Sequence, residues 1–134
     1  MLVFDMQVVD TKAIAQQANS SLQEAWHLGC TGRSVEALTL AGQILADATA
    51  RGDDRLAAQC DTDIGWYCFQ IGKAELGLTH VRRAVDFWKT NGEPRQEAYA
   101  RAYFGWLLLE LGLPEEAIEE ATHALDLADK TADP

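Results

Sequence analysis

Three tryptophans stand 40 residues apart, at Trp26, Trp66 and Trp106, and three glycines keep the same interval at Gly32, Gly72 and Gly112. A fixed period of this length marks a chain that repeats one supersecondary unit, and it restricts the fold before any other property is considered. Other rows obey the same period. Ala18, Ala58 and Ala98 form one, and the small residues Ala25, Gly65 and Gly105 sit directly before the tryptophans. In the second half of each unit the rows are Ala37/Gly77/Ala117, Leu38/Leu78/Ile118, Ala41/Val81/Ala121, Ile44/Ala84/Ala124, Leu45/Val85/Leu125 and Ala48/Trp88/Ala128. Their spacing traces one face of an α-helix, because positions separated by whole helical turns share a stripe.

Each unit therefore reads as two helices divided at its glycine. The stretches TGRSVEAL, IGKAELGL and LGLPEEAI mark that division, with Gly ending one helix and, in the third, Pro114 opening the next. The spacing predicts A helices near 11–30, 54–71 and 94–111, and B helices near 34–50, 74–90 and 115–130. Between units, RGDD at 51–54 offers carboxylate N-caps, and NGEP at 91–94 offers a Gly C-cap followed by Pro at a first helical position. The expected organisation is an N-terminal extension over 1–10 and one domain over 11–134, built of repeats at about 11–50, 51–90 and 91–130. VFDMQVV near the start is the one β-branched stretch, too short and isolated to build a sheet.

A helix pair cannot bury its apolar face alone, so stacked units share a continuous core. The expected fold is all-α, a solenoid of three helix pairs. Small residues recur where two helices must approach closely, and large ones recur a turn away to fill the adjoining space. At 134 residues the chain is large enough to fold on such a core without staples. Its three cysteines, Cys30, Cys60 and Cys68, are odd in number and lack CxxC spacing, which reads as buried small hydrophobes in a reducing compartment. There is no basic leader and no apolar run long enough to cross a membrane. The expected location is the cytoplasm.

Charge narrows the partners. With 21 acidic against 11 basic side chains, the net charge of −10 disfavours direct docking on nucleic acid or on an anionic membrane. A basic or apolar protein or peptide is the expected partner. Catalytic chemistry has no motif here: there is no phosphate-cradling glycine loop, no HExxH-like pair and no nucleophile signature. No catalytic, cofactor or metal site is expected. His27, His80 and His123 fall in different rows and suggest no shared metal site, and the acidic run EEAIEE at 115–120 suits the start of a solvated helix.

Gly105, Gly112, Ala117 and Ala124 follow a pattern of small residues that Gly65, Gly72, Gly77 and Ala84 repeat, and in this the chain resembles the tetratricopeptide repeat over nearly all of residues 11–134. The resemblance implies a right-handed α-α superhelix that binds proteins or peptides in a groove lined by its A helices. Two departures stand out. The repeat is 40 residues long where the family has about 34, and the row Ser21/Asp61/Arg101 lacks the large aromatic often found there. Long repeats with a Gly-Trp pair are similar to those beside output domains in bacterial signalling proteins, including diguanylate cyclases and maltose-type transcription activators.

Transferred residue by residue, the resemblance puts Asn19/Gln59/Tyr99, Leu22/Thr62/Ala102, the Trp row, Gly29/Phe69/Leu109 and Cys30/Gln70/Glu110 on the groove. Not one of these is basic, so a clamp for a peptide carboxylate is not supported. The candidate binding residues are Trp26, Trp66, Trp106, Gln59, Asp63, Phe69, Gln70, Tyr99, Tyr103 and Glu110. The tryptophans have two readings, a stacking platform for a ligand or wedges between neighbouring A helices. The function implied is a protein-interaction or sensory scaffold, the N-terminal part of a larger signalling protein. A second reading is a regulatory domain that binds a small molecule against the groove aromatics. The last B helix keeps Ile118, Ala121, Leu125 and Ala128 at core spacing and TADP repeats the phase of the earlier joints, so the expectation is an uncapped end, covered by further chain or by a homodimer through the terminal repeat or the N-terminal segment.

Overall fold

A computed structural model of the chain describes residues 2–131, with side chains from Ala13 onward except at position 15. It contains six helices: α1 (Leu2–Cys30), α2 (Ser34–Arg51), α3 (Asp54–Gln70), α4 (Ala74–Thr90), α5 (Pro94–Glu110) and α6 (Pro114–Thr131). There is no strand among the described residues. Each helix packs on the one before it and the one after it. In addition α3 touches both α1 and α5, whereas α2, α4 and α6 do not touch one another. The A helices thus form an inner layer and the B helices an outer one. The TADP segment falls largely outside the described residues, since 132–134 are not among them.

The joints explain the period. Gly32, Gly52, Gly72, Gly92 and Gly112 all have positive φ, between 65° and 84°. Glycine takes this left-handed conformation without a steric penalty, which is why it follows a helix here. At every joint the amide one residue beyond the glycine bonds back across the turn: Arg33 to Leu28 O at 2.9 Å, Asp53 to Ala48 O at 2.9 Å, Lys73 to Cys68 O at 2.8 Å, Glu93 to Trp88 O at 2.9 Å and Leu113 to Leu108 O at 3.0 Å. The turn within a unit and the turn between units are therefore the same device, and the glycines recur every 20 residues from 32 to 112. The extra length relative to shorter repeats of this kind lies in the helices, which run 17 or 18 residues from α2 onward. Asp53 caps α3 by accepting from Leu56 N at 3.2 Å, and Pro94 occupies the start of α5.

One expectation about the chain needs correction. The first helix starts at Leu2 and not near position 11, because residues 2–28 hold neither Gly nor Pro and the valines there lower helix propensity only by tenths of a kcal/mol. The N-terminal extension over 1–10 is accordingly helical from Leu2, continuous with α1. In α6, Ile118 and Leu125 occupy rows whose other members are buried or half-buried, yet each is 66% exposed. No helix among the described residues packs on that side of α6. Ala121 and Ala128 are exposed for the same reason.

The core runs through the stack as two clusters. One joins α1, α2 and α3 around Ala41, Ile44, Ile64 and Tyr67; the other joins α3 to α6 around Val81, Trp88, Leu107 and Leu108. The closest approach is at Gly65, where an added Cβ would overlap the Val81 side chain. The row without its aromatic has a different use. Asp61 accepts from Arg83 at 3.0 Å and pairs with His80 Nδ1 at 2.7 Å, while Arg101 donates to Glu97 and to Glu120, each at 2.8 Å. Both tie an A helix to the B helix that follows. Two thiols behave as expected core groups: burial pushes Cys60 up to about 12 and Cys68 up to about 11. Cys30 differs from expectation and is exposed at the end of α1, as are its row mates Gln70 and Glu110 at the ends of α3 and α5.

Candidate binding groove

A groove of about 680 Å³ opens on the inner layer, lined from α1 by Asn19, Leu22, Gln23 and Trp26, from α3 by Gln59, Thr62 and Asp63, and from α5 by Arg95, Gln96, Tyr99 and Tyr103. Its volume suits several side chains of a peptide or one small molecule. Trp88 reaches its floor from the outer layer. Trp88 is 1% exposed, and its indole N–H donates to Thr62 Oγ1 at 2.9 Å; that hydroxyl in turn donates to Ala58 O at 2.8 Å. The floor is therefore a buried chain of satisfied hydrogen bonds, which fixes its geometry.

The walls are aromatic. Trp26 and Tyr99 are exposed, Tyr103 is half-buried. Trp66 stands against Phe69 at 5.7 Å, Tyr103 at 5.6 Å and Trp106 at 5.3 Å between ring centroids, so α3 and α5 are joined by a block of four rings. Trp26 meets Tyr67 at 6.2 Å. The tryptophan row thus divides between the two readings. Trp66 wedges between A helices with part of its ring accessible, whereas Trp26 and Trp106 keep exposed faces because each has, among the described residues, an A-helix neighbour on one side only.

Asp63 is the buried carboxylate of the groove. It is 7% exposed and accepts one hydrogen bond, from Gln59 Nε2 at 3.1 Å. Burial raises its carboxyl to about 7, against the lowering effect of the Gln59 amide. The Asp63 charge in turn raises the phenols around it after burial has done so: Tyr103 stands at about 12 and Tyr67 is pushed higher still. The Tyr67 hydroxyl is buried with no hydrogen-bond partner.

Of the residues expected on the groove, Trp26, Gln59, Asp63, Tyr99 and Tyr103 line one cavity. Trp66, Phe69 and Trp106 form the ring block beside it. Gln70 and Glu110 lie outside both. Gln70 Oε1 accepts from Ser34 Oγ at 2.5 Å, fastening α3 to the start of α2, and Glu110 is exposed at the end of α5. Trp88, Arg95, Gln96 and Gln23 line the groove without having been expected there. Arg95 corrects the view that no basic residue reaches this surface; it shares a row with Arg55, a regularity visible in the 40-residue period. No local signal points to Trp88, which enters from a B helix. Among the described residues no cluster has a metal-binding geometry, and no helix is long and apolar enough to cross a membrane.

No family model matches the sequence, and no curated protein matches it closely enough to count as a relative. Among solved structures, the chain is similar to the TPR domain of Arabidopsis FLU, with a TM-score of 0.79 at 16% identity over 87% of this chain and 98% of that one. At that identity the likeness speaks to the fold. Together with the repeating Gly and Trp rows, the paired helices and the inner layer of A helices, it identifies the chain as a tetratricopeptide-repeat-like helical solenoid.

Proposed function

We propose that this protein is a peptide-binding scaffold whose partner lies along the inner groove between α1 and α5. The observation that carries the reading is the meeting of exposed Trp26 and Tyr99 with buried Asp63 in one cavity of about 680 Å³. Large rigid rings at the rim give contact area at low ordering cost, and a rigid floor keeps the groove open before binding. The repeat length and the Gly-Trp pairs further support a place within a bacterial signalling protein, where such a module would couple a partner to an output domain.

Trp26→Ala and Tyr99→Ala test the groove, since both side chains are exposed and contribute little to the core. Selection of peptides from a random display library on wild-type protein, followed by calorimetric titration, should yield ligands whose affinity falls about tenfold or more in each variant while thermal stability holds. Selected peptides that bind both variants unchanged would move the binding surface elsewhere. A small-molecule ligand that competes for the groove, with no peptide selected, would favour the regulatory-domain reading.

A further inference from the structure

Three acids are buried on the inner helices, and two of them have a cation. Asp61 is paired with Arg83 and His80, and Glu97 with Arg101. Asp63 has none among the described residues, and Gln59 satisfies one of its oxygens only. A buried carboxylate without a cation is costly, and it stays partly protonated near neutrality as a result. The polar and titratable groups set against it are Gln59, Cys60 and Tyr67 from α3 and Tyr103 from α5, with Tyr99 lining the same cavity, none of them cationic. Arg95 lines the same groove eight residues before Tyr103 on α5, about 12 Å away along the helix. It does not reach Asp63.

The surroundings of this acid suit a cation from outside. Trp26, Tyr99 and Tyr103 line the same cavity, and an aromatic face attracts a cation most strongly where water is excluded. The net charge of −10 raises the local concentration of cationic ligands.

We infer that the groove takes a lysine or arginine side chain of a bound peptide, with the Asp63 carboxylate as its counter-ion and the rings of Trp26, Tyr99 and Tyr103 around its charged head. The inference rests on the groove being a peptide site. It adds the anchor: one basic side chain, held by the acid that the fold leaves without a cation.

The test uses three short peptides, Ac-Leu-Lys-Leu-NH2, Ac-Leu-Arg-Leu-NH2 and the neutral Ac-Leu-Nle-Leu-NH2, titrated into isotope-labelled protein while the indole N–H signals of Trp26 and Trp88 are followed by NMR. The basic peptides should bind about tenfold more tightly than the norleucine peptide, and Asp63→Asn should abolish that preference. Equal binding of all three peptides to wild type, or a basic preference that survives Asp63→Asn, overturns the inference and leaves the peptide groove standing. No shift of either indole with any peptide overturns both. Should Asp63→Asn not fold, the wild-type Asp63 carboxyl signal decides the matter: its titration midpoint should fall when the lysine peptide is bound, and an unmoved midpoint on a peptide that does bind overturns the inference.

Discussion

The indole N–H of Trp88 donates to the hydroxyl of Thr62 at 2.9 Å, across the boundary between the outer and inner helix layers and beneath the groove. Both residues are buried. Thr62→Val keeps the shape and removes the acceptor, so the buried N–H loses its partner at a cost of about 1–3 kcal/mol. Trp88→Phe deletes the donor together with packing. Urea denaturation of both single variants and the double variant should show coupling: the pair together costs less than the two separately, because the second change no longer leaves a polar group unpaired. Strict additivity would mean that the bond contributes nothing.

Gly65 governs how closely α3 and α4 approach. Gly65→Ala places a Cβ against the Val81 side chain, and overpacking of this sort costs about 1–3 kcal/mol. Val81→Ala destabilises alone by leaving a gap. Combined, the two should partly cancel, with the double variant melting above Gly65→Ala. Gly105 offers no such relief, since its nearest obstacle is the backbone oxygen of Ala117 at 3.2 Å.

Asp63 makes stability depend on pH in an unusual direction. Burial raises its folded carboxyl to about 7 from the ordinary 3.8, so the folded state keeps a proton that the unfolded chain releases in between. Stability from this group is full below the lower value, declines as pH rises through the window, and levels off above about 7. Asp63→Asn removes the ionisation. The variant should match wild type near pH 4 and exceed it by about 1–3 kcal/mol near pH 8, read from urea midpoints at several pH values. Parallel pH profiles for the two proteins would contradict the burial of Asp63.

Equivalent rows should differ in energy according to what covers them. Leu78→Ala and Val85→Ala in α4 open cavities in the core and should cost about 2–4 kcal/mol. Ile118→Ala and Leu125→Ala in α6 occupy the same rows on an exposed face, and each should cost under about 0.5 kcal/mol. A large loss from the α6 variants would show that this face is covered in solution, and light scattering over a concentration series would identify a second copy as the cover.

Much of this was legible locally. A glycine that must take positive φ, an amide that bonds back across it and a proline or carboxylate at the next helix start are contained within a few residues, so the joints and helix bounds could be read from spacing alone. The start of α1 had no such punctuation to mark it, since residues 2–28 hold neither Gly nor Pro. The groove was harder. Six of its residues, Asn19, Leu22, Trp26, Gln59, Thr62 and Tyr99, followed from A-helix rows, but Trp88 arrives from the outer layer, Gln70 is drawn away to Ser34, and Arg95 lies a turn beyond the rows considered.

The sequence by itself determined the unit, its period and the face each helix turns inward, since these depend on backbone chemistry and helical periodicity. Only the tertiary structure decided the fate of equivalent residues. Trp66 is wedged while Trp26 and Trp106 are exposed, Leu78 is buried while Ile118 is not, and Asp61 finds a cation while Asp63 does not. A repeat makes positions equal along the chain, but burial and charge depend on neighbours from other helices, and the first, middle and last units of a stack do not have the same neighbours.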